Sequence, residues 1–270
     1  MKATVLVDNI PGEGLGCEWG LSIYIEYGDK NILLDTGESA MFLENAEKLG
    51  MDIKKIHCAV LSHAHFDHSG GMDYFFEACP EAKFYVRKGC SDNCYKKEGE
   101  TMRYLGPPRE ILKRFNSRLV YAQGDYELMP GGYLIPHKLP GRAELGKREQ
   151  MYIKNGLDWE YDDFTHEQSL VFETENGLVI FSSCSHGGAD NILREIAETF
   201  PDKNICALVG GFHTFNKTEE EVRAFAGRVK ATGIKTIYTG HCTGEDQYKI
   251  LQEELGDVVN HLQGGLVMEF

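Results

Sequence analysis

The chain has 270 residues, 42% apolar and 26% charged, with a formal net charge of −14. That is the composition of a globular domain with a sizeable core. The acidic balance argues against nucleic acid as a partner, because like charges repel, yet an anionic small molecule stays possible where a bound dication reverses the local field.

The opening "MKATVLVDNIPGEG" reads as a strand and a turn rather than a secretory leader. No segment approaches the roughly 18 consecutive apolar residues that a bilayer span needs, so no membrane partner is expected. The eight cysteines (Cys17, Cys58, Cys79, Cys90, Cys94, Cys184, Cys206 and Cys242) are expected to be free thiols, and with them a cytoplasmic location.

In chain order, residues 3–8 read as a strand and 21–37 as a hairpin turning at "YGDK". Residues 39–50 have helical spacing and end in Gly, 56–62 form a short buried strand, 70–79 a helix and 83–88 a strand. From about 88 to 165 the pattern weakens among Gly-Pro-Pro, Pro-Gly-Gly and Leu-Pro-Gly. This stretch reads as an elaboration of one domain spanning 1–270, with short strands at 118–122 and 132–136. A second hairpin follows at 169–185. Then come a helix at 190–200 with Asp190 expected as N-cap, a strand at 204–211, a helix at 217–230, a strand at 235–240, a helix at 244–254 and a strand at 264–270. Two halves of hairpins followed by β/α units predict an α/β fold, with sheets packed together and helices outside.

"VLSHAHFDHSGG", residues 60–71, gathers His63, His65, Asp67 and His68 behind a buried strand. Strand alternation sends His63 and His65 to one side, and a turn can bring Asp67 and His68 to an adjacent point. One stretch could thus serve two metal ions, and imidazole with carboxylate suits zinc, iron or manganese. A solvated polar loop is the bland alternative, and this density of ligand-type residues argues against it. Gly70 and Gly71 are expected to permit a tight turn.

The segment matches the His-x-His-x-Asp-His signature of the metallo-β-lactamase superfamily, and other motifs follow in that family's order. "NILLDTG" resembles its first motif, in which an aspartate, here Asp35, supports the site. "GLVIFSSCSHGG" falls where the family has a strand ending in Gly-Asp, whose aspartate bridges two metals; here that position is Cys184. "IYTGHCTG" resembles the closing strand that runs into a metal-binding His, here His241. More narrowly, "GLSIYIEYGDKNILLDTG", "GGFH" and "HCTG" resemble the branch labelled dihydropterin ribofuranosyl-aminobenzene phosphate synthase-like.

The resemblance implies an αββα sandwich of two mixed sheets with outer helices. It implies a dinuclear centre at one edge, with zinc as the first expectation and iron or manganese as alternatives. His63, His65, Asp67, His68 and His241 are the implied ligands, with His166 as the third His of the first metal. Cys184 is either a ligand or a small buried residue. His186 either replaces the missing aspartate or lines the pocket. His213, in "VGGFHTF", is expected at the same rim for substrate binding or proton transfer, and Asp67 is expected to orient water as well as bind metal. His57 is assigned a structural role, while His137 and His261 carry no motif. Cys90 and Cys94 are too few for a structural zinc site.

The function implied is a metal-dependent hydrolase of a small ester, lactone or phosphoester. Tyr95, Tyr104 and Trp159 of the elaboration are candidates for the pocket wall. An iron-dependent oxidoreductase and a pterin-biosynthesis enzyme are the alternatives on the same fold. The oxygen-reducing branch of the family carries Glu where this chain has His65, along with a flavin domain for which 270 residues leave no room. A nuclease is disfavoured by the charge.

Overall fold

Alternation along the strands assigns each side chain to a layer. In Lys30–Leu34, Ile32 and Leu34 enter one buried cluster and Leu33 another. In Gly177–Ser183, Val179 and Phe181 join the first of these clusters, while Leu178 and Ile180 join a third. The cluster shared by Ile32, Leu34, Val179 and Phe181 is therefore the filling between two sheets. The other two lie beneath the outer helices, as expected for strands apolar on both faces.

The computed structural model describes all residues, Met1–Phe270. One seven-stranded sheet runs Val267–Glu269, Lys2–Val7, Ser22–Tyr27, Lys30–Leu34, Cys58–Val60, Lys83–Arg87 and Leu119–Ala122. The other runs Val259–His261, Thr236–Thr239, Ile205–Gly210, Gly177–Ser183, Gln168–Thr174, Gly132–Pro136 and Tyr126–Met129. Each is mixed: hairpin strands pair antiparallel, and strands joined through helices pair parallel. Helices Met41–Lys48 and Met72–Ala78 contribute to the outer layer of the first sheet, and Ala189–Thr199, Glu219–Ala231 and Glu245–Leu255 to that of the second. The result is the αββα sandwich. No helix is long and apolar enough to cross a membrane, and all eight cysteines are free thiols.

The stretch at 88–165 holds a third sheet of four strands, in the order Asp158–Tyr161, Met151–Asn155, Tyr95–Glu98 and Thr101–Tyr104. It also holds the helix Arg142–Glu149. Sequence patterning missed both, because short polar strands present no apolar face to read.

Three local expectations change. Gly188, not Asp190, precedes helix Ala189–Thr199, and Asp190 in its first turn pairs with Arg228 at 2.8 Å. Gly70 is helical (φ −60°, ψ −32°) and Gly71 has φ −80° and ψ 1°, so neither uses a positive φ. They are needed for close approach instead: a Cβ on Gly70 would strike the Glu38 carbonyl, and one on Gly71 those of Thr36 and Ser39. His57 is exposed just ahead of its strand, where Nδ1 accepts from Asn31 N at 3.0 Å.

Candidate metal centre

The strand Cys58–Val60 ends at the rim between the sheets, and the chain turns through His63–Ala64–His65 into the short helix Phe66–Ser69. Backbone bonds from Thr36 N to His68 O (2.8 Å) and from Leu21 N to Asp67 O (3.2 Å) tie this turn to the segment carrying Asp35. The second sheet brings Cys184 and His186 from the end of Gly177–Ser183, and His241 from the end of Thr236–Thr239. All seven of these donor side chains are buried.

They form two groups. The ligand atoms of His63, His65 and His186 lie within 4.8 Å of one another, as do those of Asp67, His68, Cys184 and His241. In the second group His68 Nε2 is 3.1 Å from both Cys184 Sγ and His241 Nε2, and Asp67 Oδ2 is 3.5 Å from His241 Nε2.

The hydrogen-bond network sets the tautomers. Asp35 Oδ2 accepts from Ser62 Oγ (2.7 Å), Ser183 Oγ (2.7 Å) and His68 Nδ1 (2.8 Å), while Oδ1 accepts from Ser62 N (2.7 Å). Because the Ser62 hydroxyl donates to Asp35, it must accept from His63 Nδ1, 2.8 Å away. His241 Nδ1 donates to Asn9 Oδ1 at 2.9 Å. Three imidazoles thus spend Nδ1–H on an oxygen and turn an Nε2 lone pair inward, the usual support of a metal-binding His.

These residues fit divalent metal. His63 Nε2, His65 Nε2 and both nitrogens of His186 are buried without a hydrogen-bond partner, an expensive state for imidazole unless something charged is bound. Burial holds His63 and His186 well below the ordinary His range, helped by neighbouring imidazoles, and pushes His65 down to about 3. All three are neutral and can offer lone pairs. In the other group two inward Nε2 lone pairs face each other across 3.1 Å, which requires a proton or cation between them. Burial works against charge on Asp67, but His68 and His241 hold its carboxyl well below the usual range. Burial and the adjacent Cys242 push the Cys184 thiol up, an effect a bound dication would reverse.

Backbone strain concentrates here. Of eight non-glycine residues with positive φ, six surround the centre: Asp35, Phe164, Ser183, Ser185, His213 and His241. Such conformations cost of order 1–3 kcal/mol each and persist where surrounding structure enforces them.

His166 stands apart from both groups. Its Nδ1 accepts from Ala64 N at 3.1 Å, so Nε2 carries the proton that it donates to Asp162 Oδ2, also 3.1 Å away. His65, Cys94, Asp162 and His166 form a further buried quartet, but His166 has no free lone pair to offer it. The third imidazole beside His63 and His65 is that of His186, which lies parallel to the Phe164 ring with centroids 4.7 Å apart.

His213 lies at the rim with its ring centroid 4.4 Å from that of His186, and its Nε2 is 3.6 Å from Glu149 Oε2. Burial lowers its pKa, but the neighbouring Cys242 thiol and Glu149 carboxylate outweigh burial and raise it to about 9. Sequence reading missed Glu149, Asn9 and the Ser62 and Ser183 hydroxyls. It also missed Glu167, which accepts from His186 N (2.7 Å) and Gly187 N (3.0 Å). His137 bridges Glu167 and Glu195 at 3.5 and 3.1 Å, whereas His261 pairs with Glu245 at the surface.

A cavity of about 480 Å³ opens over the centre, and Asp67, Cys184, His186 and His213 are part of its wall. Its aromatic wall is Trp19, Phe66 and Phe215. Tyr95, Tyr104 and Trp159 instead pack on one another away from it, with ring centroids 5.5 and 4.9 Å from Tyr95.

Residues 16–241 match the family model of the metallo-beta-lactamase superfamily. The chain belongs to the metallo-β-lactamase superfamily. It is 30% identical to Tm1679, described as a metal-dependent hydrolase of the beta-lactamase superfamily; the alignment covers all of this chain and 99% of that one, with a TM-score of 0.84. It is 29% identical, over 93% of its own length and 90% of the relative's, to 7,8-dihydropterin-6-methyl-4-(beta-D-ribofuranosyl)-aminobenzene-5'-phosphate synthase of Methanocaldococcus jannaschii. The fold is also that of YhfI from Bacillus subtilis, at a TM-score of 0.61 and 14% identity over 100% and 98% of the two chains. The motif order of the superfamily is met with Cys184 at the position of its bridging aspartate.

Proposed function

We propose that this chain is a metal-dependent hydrolase acting on a small ester, lactone or phosphoester. The observation that carries the reading is the convergence of two buried donor groups, His63–His65–His186 and Asp67–His68–Cys184–His241, under one open cavity. Two divalent cations, zinc first, would be held by these groups. When bound, they supply electrophilic polarisation of the scissile carbonyl or phosphoryl group and acidify water at neutral pH.

The chain's own residues supply the rest. Asp67 faces the cavity as an ionised acceptor and orients water toward the substrate. His213, which lines the cavity with Glu149 behind it, would pass a proton to the leaving oxygen. Buried Asp35 and Ser62, with half-buried Asn9, keep the imidazoles from turning.

The test is elemental analysis of freshly purified protein. A panel of esters, lactones and phosphodiesters then follows, with the native metal restored. Turnover of one class that disappears in Asp67→Ala, with metal and fold otherwise accounted for, supports the reading. Near-stoichiometric iron with oxygen uptake would sink it in favour of an oxidoreductase. The archaeal relative's name supports a second reading, a synthase step in pterin biosynthesis on the same site.

A further inference from the structure

The small third sheet places two cations over the centre by strand register. Met151 pairs with Lys96, and Lys96 pairs directly across the hairpin with Arg103. Side chains of paired residues share a face, and all three line the cavity above Asp67 and Cys184. The neighbouring row, Tyr152–Tyr95–Tyr104, belongs to the opposite face by the same alternation.

Like charges directly opposite each other on a hairpin are destabilising. Arg103 is only partly compensated, through Nε to Glu98 at 2.8 Å, and Lys96 is absent from the ion pairs of the chain. The Arg103 guanidinium also lies 5.8 Å from the centroid of Phe66, another cavity residue. Glu38 contributes the one further carboxylate of the wall besides Asp67. A Lys–Arg pair lining the cavity, with Lys96 free of any ion pair and Arg103 only partly compensated, has a simple use on a chain of net charge −14. It attracts and orients an anion that the rest of the surface repels.

We propose that Lys96 and Arg103 form an anion subsite, and that the ligand of this cavity is an aromatic or otherwise apolar body carrying a dianionic phosphate monoester. The body lies among Trp19, Phe66 and Phe215, and the phosphate reaches the Lys96–Arg103 pair away from the metal ligands. The proposal rests on the reading of this cavity as the substrate site, but it concerns binding and requires no turnover.

Trp19 provides the signal. The chain has two tryptophans, so Trp159→Phe leaves Trp19 as the sole emitter. Zinc-loaded Trp159→Phe protein is titrated with phenyl phosphate, benzoate and benzyl alcohol while Trp19 fluorescence is followed. Phenyl phosphate is expected to bind at least tenfold tighter than either of the others. In Lys96→Met/Arg103→Gln its Kd should rise about tenfold or more. Benzyl alcohol affinity should stay within twofold, with metal content and Tm unchanged. Lys96→Glu, which keeps Arg103 in place, should weaken phenyl phosphate as strongly and guards against misfolding of the double variant. An unchanged Kd for phenyl phosphate in both variants would assign the anion to the metals and overturn the subsite. Equal affinity for benzoate and phenyl phosphate would overturn the dianion. Failure of the hydrolase reading would appear separately, as binding that follows this pattern with no ester, lactone or phosphodiester cleaved.

Discussion

His68 Nδ1 lies 2.8 Å from Asp35 Oδ2, and both residues are wholly buried. The same carboxylate oxygen holds Ser62 from the first sheet and Ser183 from the second, so one side chain fixes the parts of the centre that the two sheets contribute. Asp35 sits at φ 58°, a conformation that Asn also tolerates. Asp35→Asn is therefore expected to fold but to let the His68 ring relax. Metal affinity of one of the two sites should fall about 10–100-fold, as when such a supporting partner is lost. Competition with a chromophoric chelator measures this; two unchanged affinities would remove Asp35 from its positioning role.

Cys184 replaces the carboxylate that the family's signature places between its metals. Cys184→Ser is expected to lower bound metal from two equivalents toward one, and Cys184→Asp to retain both. Cobalt-loaded wild-type protein should show thiolate-to-metal charge transfer that is absent from both variants. Full charge transfer in Cys184→Ser would mean that another thiol is the ligand.

His186 and His166 are separated by the same kind of experiment. His186→Ala should lose metal from the His63–His65 group. His166→Ala should keep both metals and lose stability by roughly 1–3 kcal/mol, because buried Asp162 loses its donor. Calorimetry would register this as a drop of about 2–4 °C per kcal/mol. Metal loss on replacing His166, with none on replacing His186, would reverse the assignment.

Behind His186, Glu195 accepts from Lys138 N (2.7 Å), Leu139 N (2.6 Å) and His137 Nδ1 (3.1 Å). Burial pushes its carboxyl up, but His137 and the two backbone donors outweigh burial and hold it below its ordinary value. A carboxylate lowered in the folded state contributes stability that is fully present above its unfolded pKa, about 4.3, and is lost as pH falls through the folded one. Glu195→Gln should be less stable at pH 7, and its stability should fall less steeply below about pH 4.3. Chemical denaturation between pH 7 and 3 decides this; identical slopes would count against it.

Apolar periodicity in the sequence marks most strands of the two large sheets and their outer helices, and short motifs mark the donor residues that meet at the rim. His63, His65, Asp67, His68, Cys184 and His241 lie in short motifs at strand ends, where periodicity and residue type suffice. The tertiary structure decided the remainder. His186 rather than His166 completes the first group because Ala64 N–H and Asp162 occupy both nitrogens of His166. Neither partner can be read from the segment "DDFTHEQ". Asn9 reaches His241 across 232 residues and Glu149 reaches His213 from an unpatterned helix. Lys96 and Arg103 face the cavity because of strand register in a sheet too polar to announce itself. A ligand's residue type is a local property, whereas the direction of its lone pair depends on hydrogen-bond partners that only the packed chain brings near.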